Sequence, residues 1–187
     1  MALASDLDEI GKIVVVGIRV VEEAPFLDEQ LPGMNAGCIA VITADGPQPR
    51  TTADIFKGKK IVLIGMPGAF TPTCHRNHLP GFVEKADAFR KKGVDAIAVT
   101  TTNDHFVMGA WSKVAGADGK VEFLADGNGE FAKAIGLNYD GSERGMGGVR
   151  SRRYAMLVDD GVVKVLNIEE NAGKAETSGA DNLLKAL

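Results

Sequence analysis

Gly65-Met66-Pro67-Gly68-Ala69-Phe70-Thr71-Pro72-Thr73-Cys74 is the stretch whose reading decides the fold. It follows a short apolar run, Lys60 to Ile64, with the length and β-branched content of a buried strand. It precedes His75 to Lys92, which reads as one long helix with apolar positions Leu79, Phe82, Val83, Ala86 and Phe89. A cysteine is thus carried from a strand end, through a Pro/Gly-rich turn, onto the first turn of a helix. Unpaired N–H groups and the positive end of the helix dipole both favour a thiolate there. Pro80 is expected to kink the helix, because proline lacks the donor and clashes with the preceding turn.

Working outward, the alternation of strand and helix continues. Val94 to Thr100 reads as a strand, and Asn103 as the N-cap of a helix through Trp111 and Lys113. Val121 to Leu124 reads as a short strand, and Glu130 to Ile135 as a short helix closed by Gly136. Tyr154 to Val158 and Val162 to Ile168 are apolar runs joined by Asp159-Asp160-Gly161, a hairpin signal. Asp181 to Leu187 forms a last amphipathic helix. Upstream, Thr52 to Gly58 resembles a capped helix, and Asp45-Gly46-Pro47-Gln48-Pro49 a turn cluster. Ile13 to Val21 and Cys38 to Thr43 look like strands, separated by an acidic connection around Pro32 and Gly33. Together these elements predict an α/β sandwich.

The 187 residues suit one domain, residues 1–187, in which 1–44 are the least informative part. A formal net charge of −4 argues against nucleic acid as a partner, since phosphate binding needs a basic face. The longest apolar run, Ile13 to Val21, is interrupted by Gly17 and Arg19 and falls short of the roughly 20 residues of a membrane span. Met1 to Glu9 carries three acids and no base, the reverse of a secretory leader, and two cysteines make no secreted disulfide framework. A reducing, cytoplasmic location is the expectation from these features.

Pro67-Gly-Ala-Phe-Thr71-Pro-Thr-Cys74 resembles the peroxiredoxin signature P-x-x-x-[TS]-x-x-C. With His78-Leu79-Pro80-Gly81-Phe82 it is similar to the type-II branch of that family. Thr102 to Met108, Phe123 to Asp126 and Arg152 to Met156 agree, so the resemblance covers roughly residues 45 to 187. It implies a thioredoxin-like fold, a central mixed sheet flanked by helices, with Cys74 as the peroxidatic cysteine. Its thiolate attacks a hydroperoxide and becomes a sulfenic acid. Thr71 carries over as the hydroxyl that bonds peroxide and thiolate, and Pro67 as the ring that shields the site from water. The family's arginine falls on Arg153, with Arg150 and Arg152 as near alternatives. The implied activity is a thiol-dependent peroxidase acting on hydrogen peroxide and alkyl hydroperoxides without metal or cofactor, in a homodimer packed near the active-site loops.

Two features bear on regeneration. Where one subset of the branch carries a resolving cysteine near the C-terminus, this chain reads Glu176-Thr177-Ser178-Gly179; at a second family location it has Val99. An external thiol is therefore expected to clear the sulfenic acid, glutathione or a glutaredoxin ahead of thioredoxin. Cys38 lies beside Ile39, Val41 and Ile42 and reads as a small core residue, with a redox partner for Cys74 as the sharper alternative. A peroxide sensor that passes oxidation to a partner protein by mixed disulfide is the competing function.

An acidic thiol alone does not make a fast peroxidase. Lowering a thiol pKa from about 8.5 to about 6 raises its thiolate fraction at neutral pH roughly 30-fold. The same shift weakens the nucleophile about 13-fold at a Brønsted slope near 0.45, leaving a gain of about twofold. Most of the rate must come from donors aimed at the departing oxygen. Arg153, Thr71 and the turn's backbone N–H groups are the candidates.

Other motifs read more plainly. Cys74, His75 and His78 do not make the paired four-ligand pattern of zinc. Gly145-Met-Gly-Gly148 lacks the setting of a nucleotide loop, and Lys57-Gly-Lys-Lys60 is a solvated turn. Trp111 reads as core or subunit interface. His78 reads as a packing or helix-surface residue, with an influence on Cys74 one turn away as the alternative.

Overall fold

The computed structural model describes residues 39–117 and 119–187. Ile13 to Val21, Pro32, Gly33 and Cys38 lie outside the described residues. The chain runs β1 (Ile39–Thr43), β2 (Gly46–Arg50), α1 (Thr52–Phe56), β3 (Lys60–Gly65), a π-helical turn (Cys74–His78), α2 (Leu79–Glu84), α3 (Ala86–Lys91), β4 (Ala96–Thr101) and α4 (His105–Val114). It continues through β5 (Glu122–Ala125), α5 (Glu130–Ala134), β6 (Asn138–Tyr139), a 3₁₀ turn (Ser142–Arg144), β7 (Arg150–Ser151), β8 (Tyr154–Asp159), β9 (Val162–Ile168) and α6 (Ala180–Ala186).

The main sheet among the described residues has the order β2-β1-β5-β4-β3-β8-β9. The three central strands β5, β4 and β3 are parallel, and β1 and β8 join them antiparallel on either side. Successive β3 side chains leave opposite faces. Val62 and Ile64 meet Leu79, Phe82, Phe89, Trp111 and Leu183 on one face. Ile61 and Leu63 meet Phe56, Phe131 and Tyr154 on the other. Helices therefore cover both faces, as the apolar runs predicted.

Three expectations are corrected. Asp45 to Pro49 is not a loose turn cluster: only Ala44 and Asp45 turn, and Gly46–Arg50 pairs with β1 as an edge strand. Pro47 and Pro49 are tolerated there because an edge strand needs no donor on its open side. Second, His75 to Lys92 is not one kinked helix. Leu79 N–H reaches back to Cys74 O in a π-type bond, Pro80 enters at the first turn of α2, and Lys85 (φ −99°, ψ 9°) separates α2 from α3. A proline with no N–H is placed where a helix start leaves donors unpaired anyway. Third, the N-cap of α4 is Asp104, whose side chain accepts the Val107 N–H. Asn103 is released for another task.

Other signals hold. Thr51 and Asp54 form the reciprocal capping box of α1. The β8–β9 hairpin turns on Asp160 (φ 48°) and Gly161 (φ 78°), the paired positive values of a type I′ turn.

Candidate active site

The cysteine turn is built from the end of β3. Met66 N–H donates to Thr100 O at 3.0 Å, so the chain leaves the sheet in register with β4. Ala69 N–H donates to Asn103 Oδ1 at 2.9 Å, and Thr101 Oγ1 donates to the same oxygen at 3.0 Å. Thr71 Oγ1 donates to Gly68 O at 3.0 Å, and His75 N–H to Thr71 O at 2.9 Å. Phe70 takes φ 61° in this turn, an uncommon value for a non-glycine residue and one found where a functional loop is held by its surroundings. Pro67 is buried and Thr71 half-buried, both on the turn that leads to the sulfur.

Cys74 is 0% exposed and belongs to the apolar cluster on its side of the sheet. Beside it lies Arg153, 2% exposed, with Nη2 3.3 Å from Sγ. Arg153 sits between the short strand β7 and β8, opposite the cysteine turn. Its Nε and Nη2 both donate to Ala172 O, at 3.0 and 2.8 Å, which fixes the plane of the guanidinium. Nη1 donates to His78 Nδ1 at 3.2 Å. A guanidinium has five N–H groups, and these contacts occupy four. Among the described residues the fifth, on Nη1, has no partner.

Of the three neighbouring arginines, the structure brings Arg153 to the sulfur. Arg150 Nε is spent on Met146 O, and Arg152 lines a polar cavity with Asp140, Glu143, Glu169 and Glu170 that Arg153 also borders, without a bond to the sulfur. Thr71 is bonded to Gly68, with no bond to Sγ. His78 is 2% exposed, its ring edge-on to Phe82, and not a surface residue. Burial, with the nearby Arg153 charge, holds its imidazole far below the usual range, at about 3, against the opposing Ser178 backbone bond. Trp111 is core, and its Nε1 donates to His75 Nδ1 at 2.9 Å.

Sequence reasoning missed four contributors. Asn103 suits a cap by sequence. The Ala172 carbonyl acts through backbone, which no side-chain pattern announces. Ser178 lay in the stretch read for a missing thiol, and Glu169 follows β9 with no local signal. The Glu169 N–H donates to Arg153 O at 2.9 Å, tying that residue to the same loop.

A redoxin family model matches residues 28–184. A peroxiredoxin-2E-2 of Oryza sativa subsp. japonica, a chloroplastic protein, is 56% identical over 139 residues, which are 73% of this chain and 61% of the relative. This chain belongs to the type-II peroxiredoxins. The chloroplastic peroxiredoxin-2E of Arabidopsis thaliana is 53% identical over 73% of this chain and 58% of its own length. The chain thus spans about three fifths of these two relatives. Reduced Prx3 of Vibrio vulnificus in complex with H2O2 superposes with a TM-score of 0.77 at 40% identity, covering 89% of this chain and 98% of that one. The mixed sheet flanked by helices is therefore the thioredoxin-like peroxiredoxin fold that the signature implied.

The comparison overturns one expectation. Two of the relatives are chloroplastic, against the cytoplasmic location read from the interrupted apolar run, the first nine residues and the two cysteines. Net charge and core composition follow from the fold and carry no address.

Proposed function

We propose that this peroxiredoxin is a thiol-dependent peroxidase that reduces hydrogen peroxide and small alkyl hydroperoxides through Cys74. The observation that carries the reading is the Arg153 Nη2 held 3.3 Å from a fully buried Sγ. A donor fixed beside the sulfur acts strongly where water is excluded. The thiolate attacks the terminal peroxide oxygen; an S–O bond forms as the O–O bond breaks. Sulfur loses two electrons and becomes a sulfenic acid, and the departing oxygen takes a proton from solvent to leave as water or alcohol.

Arg153 lends its unpaired Nη1–H to the peroxide as charge moves onto the departing oxygen. Thr71 donates its one hydroxyl hydrogen to Gly68 O, so its lone pairs are free to accept from the peroxide O–H and orient it. Buried Pro67 keeps water from the sulfur's side of the turn. An external thiol then attacks the sulfenic acid, water leaves, and a second thiol restores Cys74 with a disulfide as product. An external thiol is proposed because the Glu176–Gly179 stretch holds no cysteine, and the resemblance to the type-II branch places glutathione or a glutaredoxin ahead of thioredoxin. A single-domain organisation is supported by the seven-stranded main sheet among the described residues and by the family match spanning 28–184. A homodimer is supported by Phe70, 49% exposed on the cysteine turn, and Phe106, 77% exposed at the start of α4.

The test is peroxide consumption with excess glutathione and glutaredoxin. Wild type is expected to turn over continuously and Cys74→Ser not at all. Activity in Cys74→Ser overturns the assignment, and a single stoichiometric burst in wild type points instead to a sensor that passes oxidation on.

A further inference from the structure

Glu169, Ser178 and His78 form a buried hydrogen-bonded chain that ends on Arg153. Their exposures are 5%, 0% and 2%. Its direction follows from the donor inventory. A guanidinium only donates, so His78 Nδ1 must accept from Nη1, and the imidazole proton lies on Nε2. Nε2 faces Ser178 O at 2.9 Å and Ser178 Oγ at 3.1 Å. The Ser178 hydroxyl hydrogen goes to Glu169 Oε1 at 2.9 Å, and the Ser178 N–H reaches the same oxygen at 2.7 Å.

None of the three residues bonds the sulfur, and Glu169 has no ion pair among the described residues. A carboxyl group buried without a cation is costly. Glu169 borders the polar cavity that also holds Arg144 and Arg152 but pairs with neither; its hydrogen bonds lead through Ser178 and His78 to Arg153. Ala172 fixes the plane of the guanidinium but uses only its Nε–Nη2 edge; among the described residues the remaining Nη1 group is held by His78 alone.

We infer that Glu169, Ser178 and His78 are positioning residues for Arg153, committing one Nη1–H to the protein so that the other is presented to the peroxide. The inference rests on the reading of Arg153 above. A plain structural clamp between the cysteine turn and the 169–179 loop is already supplied elsewhere, by Thr73 Oγ1 on Gly173 O at 3.0 Å.

The experiment uses the full reduced chain and two readouts. One is the rate at which iodoacetamide alkylates Cys74, followed on its own peptide so that Cys38 does not contribute. The other is kcat/KM for hydrogen peroxide. His78→Leu is expected to lower both by about tenfold, the worth of one hydrogen bond to a charged group. Ser178→Ala and Glu169→Gln, which are milder, are expected to lower both by about threefold. His78→Asn, whose Oδ1 replaces Nδ1 as acceptor, is expected to stay within about threefold of wild type. In an Arg153→Ala background each change is expected to add less than about twofold, because its target is gone.

Losses that add in full to that of Arg153→Ala, or Ser178→Ala and Glu169→Gln proteins indistinguishable from wild type in both readouts, overturn the inference. Should His78→Leu fail to fold, those two milder variants decide. A wild type that consumes no peroxide sinks the peroxidase reading alone, and the alkylation rates still judge the relay.

Discussion

Tyr154 occupies the space where a side chain on Gly65 would stand: a Cβ built on residue 65 would lie 2.0 Å from the Tyr154 ring carbon Cε1. The two residues are paired across β3 and β8, at the last sheet position before the cysteine turn. Tyr154 also follows Arg153 directly, so one close contact registers the strand that delivers the sulfur against the strand that delivers the guanidinium.

Gly65→Ala should therefore be destabilising by about 2 to 3 kcal/mol, since overpacking a rigid interior displaces backbone. Urea unfolding of Gly65→Ala against wild type checks this. A variant with an unchanged midpoint would show that the ring moves aside freely.

His78 makes stability depend on acidity. Its folded pKa of about 3 lies below its unfolded value of 6.5, so between those values the unfolded chain binds the extra proton. Stability from this group is complete above the unfolded value and is lost as pH falls toward the folded one. Wild type should lose roughly 1 kcal/mol per pH unit more than His78→Asn between about pH 6 and about pH 4. Urea midpoints across that range measure it; parallel slopes for the two proteins would contradict it. Comparing the pair cancels the opposite trend from Asp126, whose carboxyl is pushed up by burial.

Asn103 is a support of the turn, a role that a helix-cap reading hides. Asn103→Ala removes the acceptor for Ala69 N–H and Thr101 Oγ1 at once. We expect kcat/KM for peroxide to fall about tenfold, with Asn103→Asp, which keeps Oδ1, retaining most of it. Equal losses in the two variants would mean that the amide, and not its oxygen, matters.

Strands β3, β4, β5, β8 and β9, the hairpin and the sulfur's position at a strand-to-helix turn are legible because each has a local cause: β-branched runs, Asp-Gly turn chemistry and a Pro/Gly-rich stretch. The Asn103 N-cap and the single long helix were misread for a shared reason. Two adjacent residues, Asn103 and Asp104, both suit a cap, and only the tertiary pull of Ala69 on Asn103 separates them. Likewise the π-type turn at Cys74 depends on where Pro80 is accommodated, which periodicity does not record. The relay behind Arg153 joins residues about a hundred positions apart, His78 and Ser178, and no spacing along one chain could have paired them.

The central claim is that Arg153 acts on the O–O bond that Cys74 attacks. The direct measurement is the stopped-flow rate of oxidation of reduced enzyme by hydrogen peroxide, compared between wild type and Arg153→Ala with folding verified by circular dichroism. The account predicts a loss of about 100-fold or more, the worth of a donor aimed at developing charge. An Arg153→Ala protein that is folded and oxidised at the wild-type rate would contradict it.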